Sequence, residues 1–298
     1  MGILKKVQTI LLSLLMVITC ISFNTGTAIF ADETPTVSYD ESTSTLTFKG
    51  TGELHDYTVE SANYTYSDVT IANVVIEGYT SIGRASLVYL EDVESIIIPN
   101  TVTSIKDNAF AGLTKLTSIT IPDTVTSIED CAFSGCSALT SVTLPSGLMA
   151  ISDNLFTNCG ALTSITIPSG VTSIGVCAFV NCTSLTSLTI PNEVVSIGRQ
   201  AFGGCTGLTS VTLQDSVTSI GDYAFSGCNS LTSITIPKNV SSIGTIAFGF
   251  CTSLTSVIFN GTVGENGSGI GGNAFACVGT KTIDYYDEYQ KKLSMDIH

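Results

Sequence analysis

The sequence predicts an elongated solenoid of mostly β and loop content. It would comprise about eight to nine coils of 23 residues, with a short parallel sheet and an N-terminal β-hairpin cap. Three observations carry this expectation. Phe110, Phe133, Phe156, Phe179, Phe202, Phe225 and Phe248 recur every 23 residues without a slip. The same period carries Ile105, Ile128, Ile151, Ile174, Ile197, Ile220 and Ile243, and a leucine register from Leu116 to Leu254. Between these anchors lie short stretches such as Ser118-Ile119-Thr120-Ile121, which alternate in period two and close on proline.

In chain order, residues 1–31 read as a secretory signal peptide. Lys5 and Lys6 precede an apolar run from Ile10 to Phe23, and small and polar residues follow as far as Ala31, after which cleavage is expected. The run is broken by Ser13 and Thr19 and is shorter than the roughly 20 residues a membrane span needs. Val17-Ile18-Thr19-Cys20 has the outline of a lipid-attachment site, although Thr19 is larger than the residue usual before such a cysteine. Removing the segment leaves nine bases against 25 acids, a net charge of −16. No later stretch is long and apolar enough to cross a membrane.

Residues 32–73 form the N-terminal β cap. Val37–Asp40 and Ser44–Phe48 read as two strands around a polar turn, followed by the Gly50-Thr51-Gly52 turn. A solenoid end exposes apolar surface unless such a cap covers it. Acids concentrate here: residues 32–94 hold 12 acids and two bases, whereas residues 95–260 hold eight and four. The repeats must therefore stay soluble mainly through Ser and Thr.

Residues 74–279 form the array. In the unit beginning at Leu116, Ile119 and Ile121 face inward and Ser118 and Thr120 outward. Pro122 ends the strand, as Pro99, Pro145, Pro168, Pro191 and Pro237 do in the same register. Val125 and Ile128 supply a second inward pair, and the Ala-Phe pair lies on a return turn. One coil cannot bury its own face, but stacked coils can. Nine isoleucine registers from Ile82 to Ile270, spaced by about 4.8 Å, make a rod roughly 40 Å long. Residues 280–298 form the C-terminal tail, after a four-residue insertion in the Gly264–Gly269 loop. It reads as a strand around Thr282–Tyr289 and a short helix over Gln290–Leu293, with no sortase-type sorting signal, so release from the cell is expected.

The repeat L-x-x-[IV]-x-[IL]-P-x-x-V-x-x-I-x-x-x-A-F-x-x-C resembles that of bacterial surface proteins with BspA-type leucine-rich repeats, over most of the chain. The Tyr39-Asp40 to Gly52 leader resembles the one ahead of such repeats in secreted relatives. The resemblance implies a right-handed leucine-rich-repeat superhelix of α/β type on a secreted or cell-surface protein. It also implies adhesion to host matrix proteins, microbes or host cells, and it supplies no catalytic residues.

The cysteines need the closest weighing. Cys136, Cys159, Cys182, Cys205, Cys228 and Cys251 are 23 apart, three residues past each Phe, and form one structural ladder. Three readings stand: small buried hydrophobes filling a turn, disulfides between neighbouring coils, or metal ligands. Packing is favoured, because Leu113 and Val278 take the same place in outer coils and a linear ladder does not converge on one ion. Cys131 and Cys177 occupy a variable register shared with Asn108, Asn154, Gln200, Tyr223 and Ile246, expected near the surface. Each is either unpaired or bridged to the ladder Cys five residues on. Cys277 stands alone.

Composition narrows function. A charge of −14 with only 12% charged residues argues against nucleic-acid partners, which require clustered Lys and Arg. The only histidines are His55 and His298, and no phosphate loop, metal triad or cofactor motif occurs, so no enzyme activity, cofactor or metal is expected. Glu129, Asp130, Asp153, Asp215 and Asp222 read as scattered, solvated acids. The candidate binding face is the pair of outward strand registers Ser118, Thr120, Ser141, Thr143, Ser164, Thr166, Ser187, Thr189, Ser210, Thr212, Ser233 and Thr235. Those residues are also what strand preference and recent duplication would produce. The expected function is a secreted or cell-surface binding module for a host or microbial protein or glycan. The alternatives are a self-assembling spacer and a thiol enzyme using Cys131 or Cys177.

Overall fold

The structure is a computed structural model, described for residues 35–261, 269–279, 282–286 and 292–296. The signal peptide and most of the inserted loop fall outside the described residues. The array is a β-solenoid of about eight turns with little helix. Each turn holds two extended segments, and each segment stacks on its counterpart 23 residues away. Ser141 pairs with Ser118 and Thr143 with Thr120 in one parallel ladder. Ile197 pairs with Ile174 and Ile220 with Ile197 in the other. A single short sheet was expected, so the second ladder is an addition. Its cause is the fixed period: any extended segment repeated every 23 residues meets its own copy with matched donors and acceptors, and the Val125–Ile128 stretch does so as readily as the first.

The core lies between the two ladders and the return turns. Ile119 and Ile121 are buried while Ser118 and Thr120 are exposed, as the alternation requires. The Phe register forms a continuous stack of eight rings from Phe110 to Phe275. Its centroids lie 5.0 to 5.5 Å apart and its planes are within 19° of parallel. Stacked aromatics at this spacing add attraction beyond the area they bury, about 0.5–1.5 kcal/mol per pair.

At the N-terminal end, Thr36–Asp40 and Thr45–Lys49 form the expected antiparallel hairpin. The hairpin joins the array in register: Thr45–Lys49 pairs parallel with Asn73–Glu77, which pairs parallel with Ser95–Ile97. Glu53–Leu54 starts the second ladder against Ser81–Ile82. Gly50 is fixed by packing, because a Cβ there would lie 2.6 Å from the hydroxyl of buried Tyr79. A helix over Asp56–Thr65 was not expected. Its ten residues include Thr58, Val59, Thr65 and Asn63, and His55 caps it without a side-chain hydrogen bond, so intrinsic preference is weak. Burial of Val59 and Ala62, three residues apart on one face, holds it.

The tail corrects a second expectation. Thr282–Tyr286 is a strand as predicted, but Lys292–Asp296 is also a strand, antiparallel to it, so the helix expected over Gln290–Leu293 is absent at its described end. An exposed strand edge offered a row of backbone partners, which a short helix of marginal propensity could not match.

Candidate binding face

All twelve candidate Ser and Thr residues, from Ser118 and Thr120 to Ser233 and Thr235, are exposed on one face. None of their hydroxyls hydrogen-bonds another described residue. The preceding position behaves differently. Thr140 Oγ1 donates to Thr117 O, Thr209 Oγ1 to Thr186 O and Thr255 Oγ1 to Thr232 O, at 2.9 to 3.3 Å. The second ladder repeats the device, with Thr126 on Thr103 O and Thr218 on Val195 O. Two registers of hydroxyls therefore tie coils together, while the Ser-x-Thr registers stay free. The face carries no charge from Ser118 to Thr235, and Ile97, 61% exposed, occupies the Thr register at its N-terminal edge.

Pairing on this face is interrupted between Ser95–Ile97 and Ser118–Thr120, around Ser164–Thr166, and between Ser210–Thr212 and Ser233–Ile236. Ser164–Thr166 is not part of a strand, although the segments before and after it, Ser141–Thr143 and Ser187–Thr189, are. Beside it opens a cleft of about 310 Å³ lined by Val142, Thr143, Leu144, Ser146, Thr166, Pro168 and Ser169.

The six ladder cysteines are fully buried and unbridged. Each thiol donates to the carbonyl of the Phe 26 residues earlier, from Cys136 to Phe110 O at 3.1 Å through Cys251 to Phe225 O at 3.1 Å. The ladder thus serves the backbone of the preceding coil. Burial pushes the Cys136 and Cys205 thiols up to about 12 and raises Cys159 and Cys182 as well. These four are inert thiols, the opposite of an activated nucleophile.

Cys131, Cys177 and Cys277 lie in two registers of left-handed backbone. The register of Asn108, Cys131, Asn154, Cys177, Gln200, Tyr223, Ile246 and Asn273 has φ between 54 and 58° in every coil. A second left-handed register runs through Gly112, Gly135, Asn158, Asn181, Gly204, Gly227, Phe250 and Cys277. Gly and Asn tolerate this conformation, and their recurrence at both places was the available signal. Cys131 and Cys177 are partly buried. Burial raises both thiols, helped at Cys131 by Asp130, Asp107 and Asp153 and opposed at Cys177 by Arg199. Neither has the lowered pKa that a thiol enzyme needs.

The acids within the repeats are not simply solvated, which corrects the sequence reading. Asp130 Oδ1 accepts from Asp153 N, Asp153 Oδ1 from Val176 N and Asp222 Oδ1 from Thr245 N, each one coil away, at 2.7 to 3.0 Å. Lys106 pairs with Glu129 at 2.9 Å and Lys238 with Asp215 at 3.1 Å. The period again is the cause: it sets each carboxylate over a backbone N–H or a base of the adjacent coil. Such exposed pairs contribute little individually, about 0–1 kcal/mol.

His55 lies 3.3 Å from Glu53 and stacks on Tyr57. His298 lies outside the described residues. No group of three or more potential metal ligands gathers among the described residues.

Two parallel ladders in register, an inward Leu, Ile, Phe and Cys core and a polar face define a leucine-rich-repeat β-solenoid. The chain belongs to the BspA-type leucine-rich-repeat family: the model of the BspA type leucine rich repeat region matches residues 58–186 and 172–292, with six copies. Among solved structures, a leucine-rich repeat protein from Eubacterium ventriosum is similar at 29% identity. That match covers 79% of this chain and 73% of that one, with a TM-score of 0.51. The T. pallidum leucine rich repeat protein shares the fold at 24% identity, over 74% of this chain and 87% of that one, with a TM-score of 0.50. A leucine rich cell surface protein from Faecalibacterium prausnitzii A2-165 also matches, at 20% identity over 90% and 97% of the two chains, with a TM-score of 0.46. No curated protein matches the sequence.

Proposed function

We propose that this protein is a non-catalytic binding module, secreted or held at the cell surface, that engages a protein or glycan through its Ser-x-Thr face. The observation that carries this is the contrast between hydroxyl registers. Those at the preceding positions are consumed in bonds between coils, whereas the twelve of the Ser-x-Thr registers are exposed and free to bond a ligand. A flat array of short uncharged side chains loses little conformational entropy on binding, because Ser and Thr have few rotamers to fix.

The test is direct binding of the purified mature chain to matrix proteins, mucins and a glycan panel. The expected result is saturable binding at micromolar protein that weakens when Thr189, Thr212 and Thr235 are replaced together by Lys. Absence of binding to every member of the panel would sink the proposal. A thiol-dependent activity is disfavoured by the raised Cys131 and Cys177 thiols, and labelling of the folded chain checks it: Cys277, which is exposed, reacts first.

A further inference from the structure

The Ser-x-Thr face changes character at its N-terminal end. Its Thr register reads Thr120, Thr143, Thr166, Thr189, Thr212 and Thr235 through six coils, but the two rungs before them carry Val75 and Ile97. Asn73–Glu77 pairs in register with Ser95–Ile97, so Val75 lies directly beside Ile97 on the outward side. The hairpin continues the row, because Val75 pairs with Thr47 and Thr47 with Ser38. Val75 is half-buried, and Ile97 is the most exposed large apolar side chain among the described residues.

The Ser register changes with it. Ser95 Oγ donates to Asn73 Oδ1 at 2.6 Å, and Asn73 Nδ2 donates to Thr43 O at 2.8 Å. Polar groups are spent here and methyl groups are offered, the reverse of the repeats. Single exposed apolar residues are common on any surface, but here two aliphatic side chains stand in adjacent rungs. Strand preference does not require them, since Thr has the same β-branch and serves in the next six coils.

Charge also distinguishes this end. Glu94 precedes the strand of Ile97, Glu77 ends the strand of Val75 and Asp40 ends the first strand of the hairpin, and all three are exposed. Glu77 and Glu94 form no ion pair among the described residues. The bases at this end are Lys49, in register with Glu77, and Lys115, which pairs with Asp92 at 2.6 Å. Acids prevail: residues 32–94 hold 12 against two bases. An apolar centre inside a charged rim is the anatomy of a protein interface, and the sign of the rim selects the partner.

We infer that Val75 and Ile97, rimmed by Glu77, Glu94 and Asp40, anchor a protein segment that carries aliphatic side chains between Lys or Arg residues. The inference names the partner class of the binding function proposed above and rests on it. The segment would cover the two aliphatic side chains and set its cations against the carboxylates at both ends of their strands. Anionic glycans are repelled by the same carboxylates. A neutral sugar gains nothing from them, and the row Ser38, Thr47, Val75 and Ile97 holds no aromatic ring for it to stack on.

The test uses the full mature chain and three labelled peptides: Lys-Lys-Ser-Val-Ile-Val-Ser-Lys-Lys, the same peptide with Glu for each Lys, and the same with Ser for Val and Ile. Fluorescence anisotropy at low salt should show saturable binding of the first alone. Ile97→Thr, which installs the residue of the following coils, should weaken it about tenfold, the loss expected when a covered methyl group gives way to a hydroxyl. Glu77→Gln combined with Glu94→Gln should weaken it severalfold and flatten its dependence on salt, which a loss of packing would not do. Thr212→Val, in the uncharged stretch, should leave it unchanged, and melting temperatures report that each variant remains folded. Equal binding of the Lys and Glu peptides, or indifference to both Ile97→Thr and the double Gln variant, would overturn the anchor. The matrix proteins, mucins and glycans of the wider panel separate this inference from the function beneath it. Binding of a panel protein that falls with Ile97→Thr supports both. Binding confined to glycans, or protein binding that ignores Ile97→Thr, would overturn the anchor and leave the proposed function standing. Failure to bind every peptide and every panel member would remove both.

Discussion

The coils carrying Phe202 and Phe225 and the coil carrying Phe156 share a period, a fold and nearly a sequence, yet they differ in how they stack. In the former, alanine precedes the ring, ring steps are 5.1 to 5.2 Å and the second ladder runs unbroken from Ala150–Ile151 to Ser242–Ile243. In the latter, Leu155 stands in for alanine, the steps widen to 5.4 to 5.5 Å and the second ladder parts between Ser127–Ile128 and Ala150–Ile151. One side chain of the wrong size in a repeating core therefore has effects beyond its own contacts. Every layer is fixed to the next, so excess volume emerges as wider ring steps and a gap in the second ladder beside that coil.

Removal of a ring gives the largest effect by which the comparison can be broken. Phe202→Ala should cost about 3–5 kcal/mol and Phe156→Ala less, because rings already set apart lose fewer contacts. Equal losses in chemical denaturation would show that the wider spacing has no energetic meaning. The thiol ladder gives the next effect. Unfolded thiols ionise near 9 while the folded Cys136 and Cys205 hold their protons to about 12, so the native state binds more protons over that window and stability falls as pH rises through it. Melting temperature against pH should fall above pH 9, and Cys205→Ala should flatten that slope by one proton's share.

Smaller effects sharpen the contrast. Ile246 holds φ 55°, a conformation that is strained for a β-branched residue, in a register where Asn108 and Asn154 serve elsewhere. Ile246→Asn should raise stability by about 1 kcal/mol, measured by denaturant midpoint. Finally, Leu155→Ala should change stability least, since lost burial is offset by recovered pairing. Hydrogen exchange at Ser152 N–H should nonetheless slow once Ile128 O, now held by the Ser152 hydroxyl, comes within its reach. An unchanged exchange rate would refute the wedge as the cause of the gap.

Much of this was legible in the sequence. The Phe, Ile, Leu and Cys registers could only stack, because one coil of 23 residues cannot enclose its own apolar side chains. Ser118 and Thr120 had to face outward once Ile119 and Ile121 faced in. The Asp56–Thr65 helix and the Lys292–Asp296 strand were not legible, because local preference there is weak and neighbouring surface decides. The carboxylates of Asp130, Asp153 and Asp222 looked scattered since their partners are backbone N–H groups, which leave no mark in a sequence. Leu155 was visible as an exception among alanines, but its consequence was not.

The sequence by itself determined the period, the inward and outward rows and the family. Only the tertiary structure decided where the rows come apart. Ser118-Ile119-Thr120-Ile121, Ser164-Ile165-Thr166-Ile167 and Ser233-Ile234-Thr235-Ile236 are the same four residues, yet the first and third are paired strands and the second is not. A strand's hydrogen bonds depend on the distance to its neighbour. That distance is set by the packing of whole coils against one another, which four identical residues do not encode.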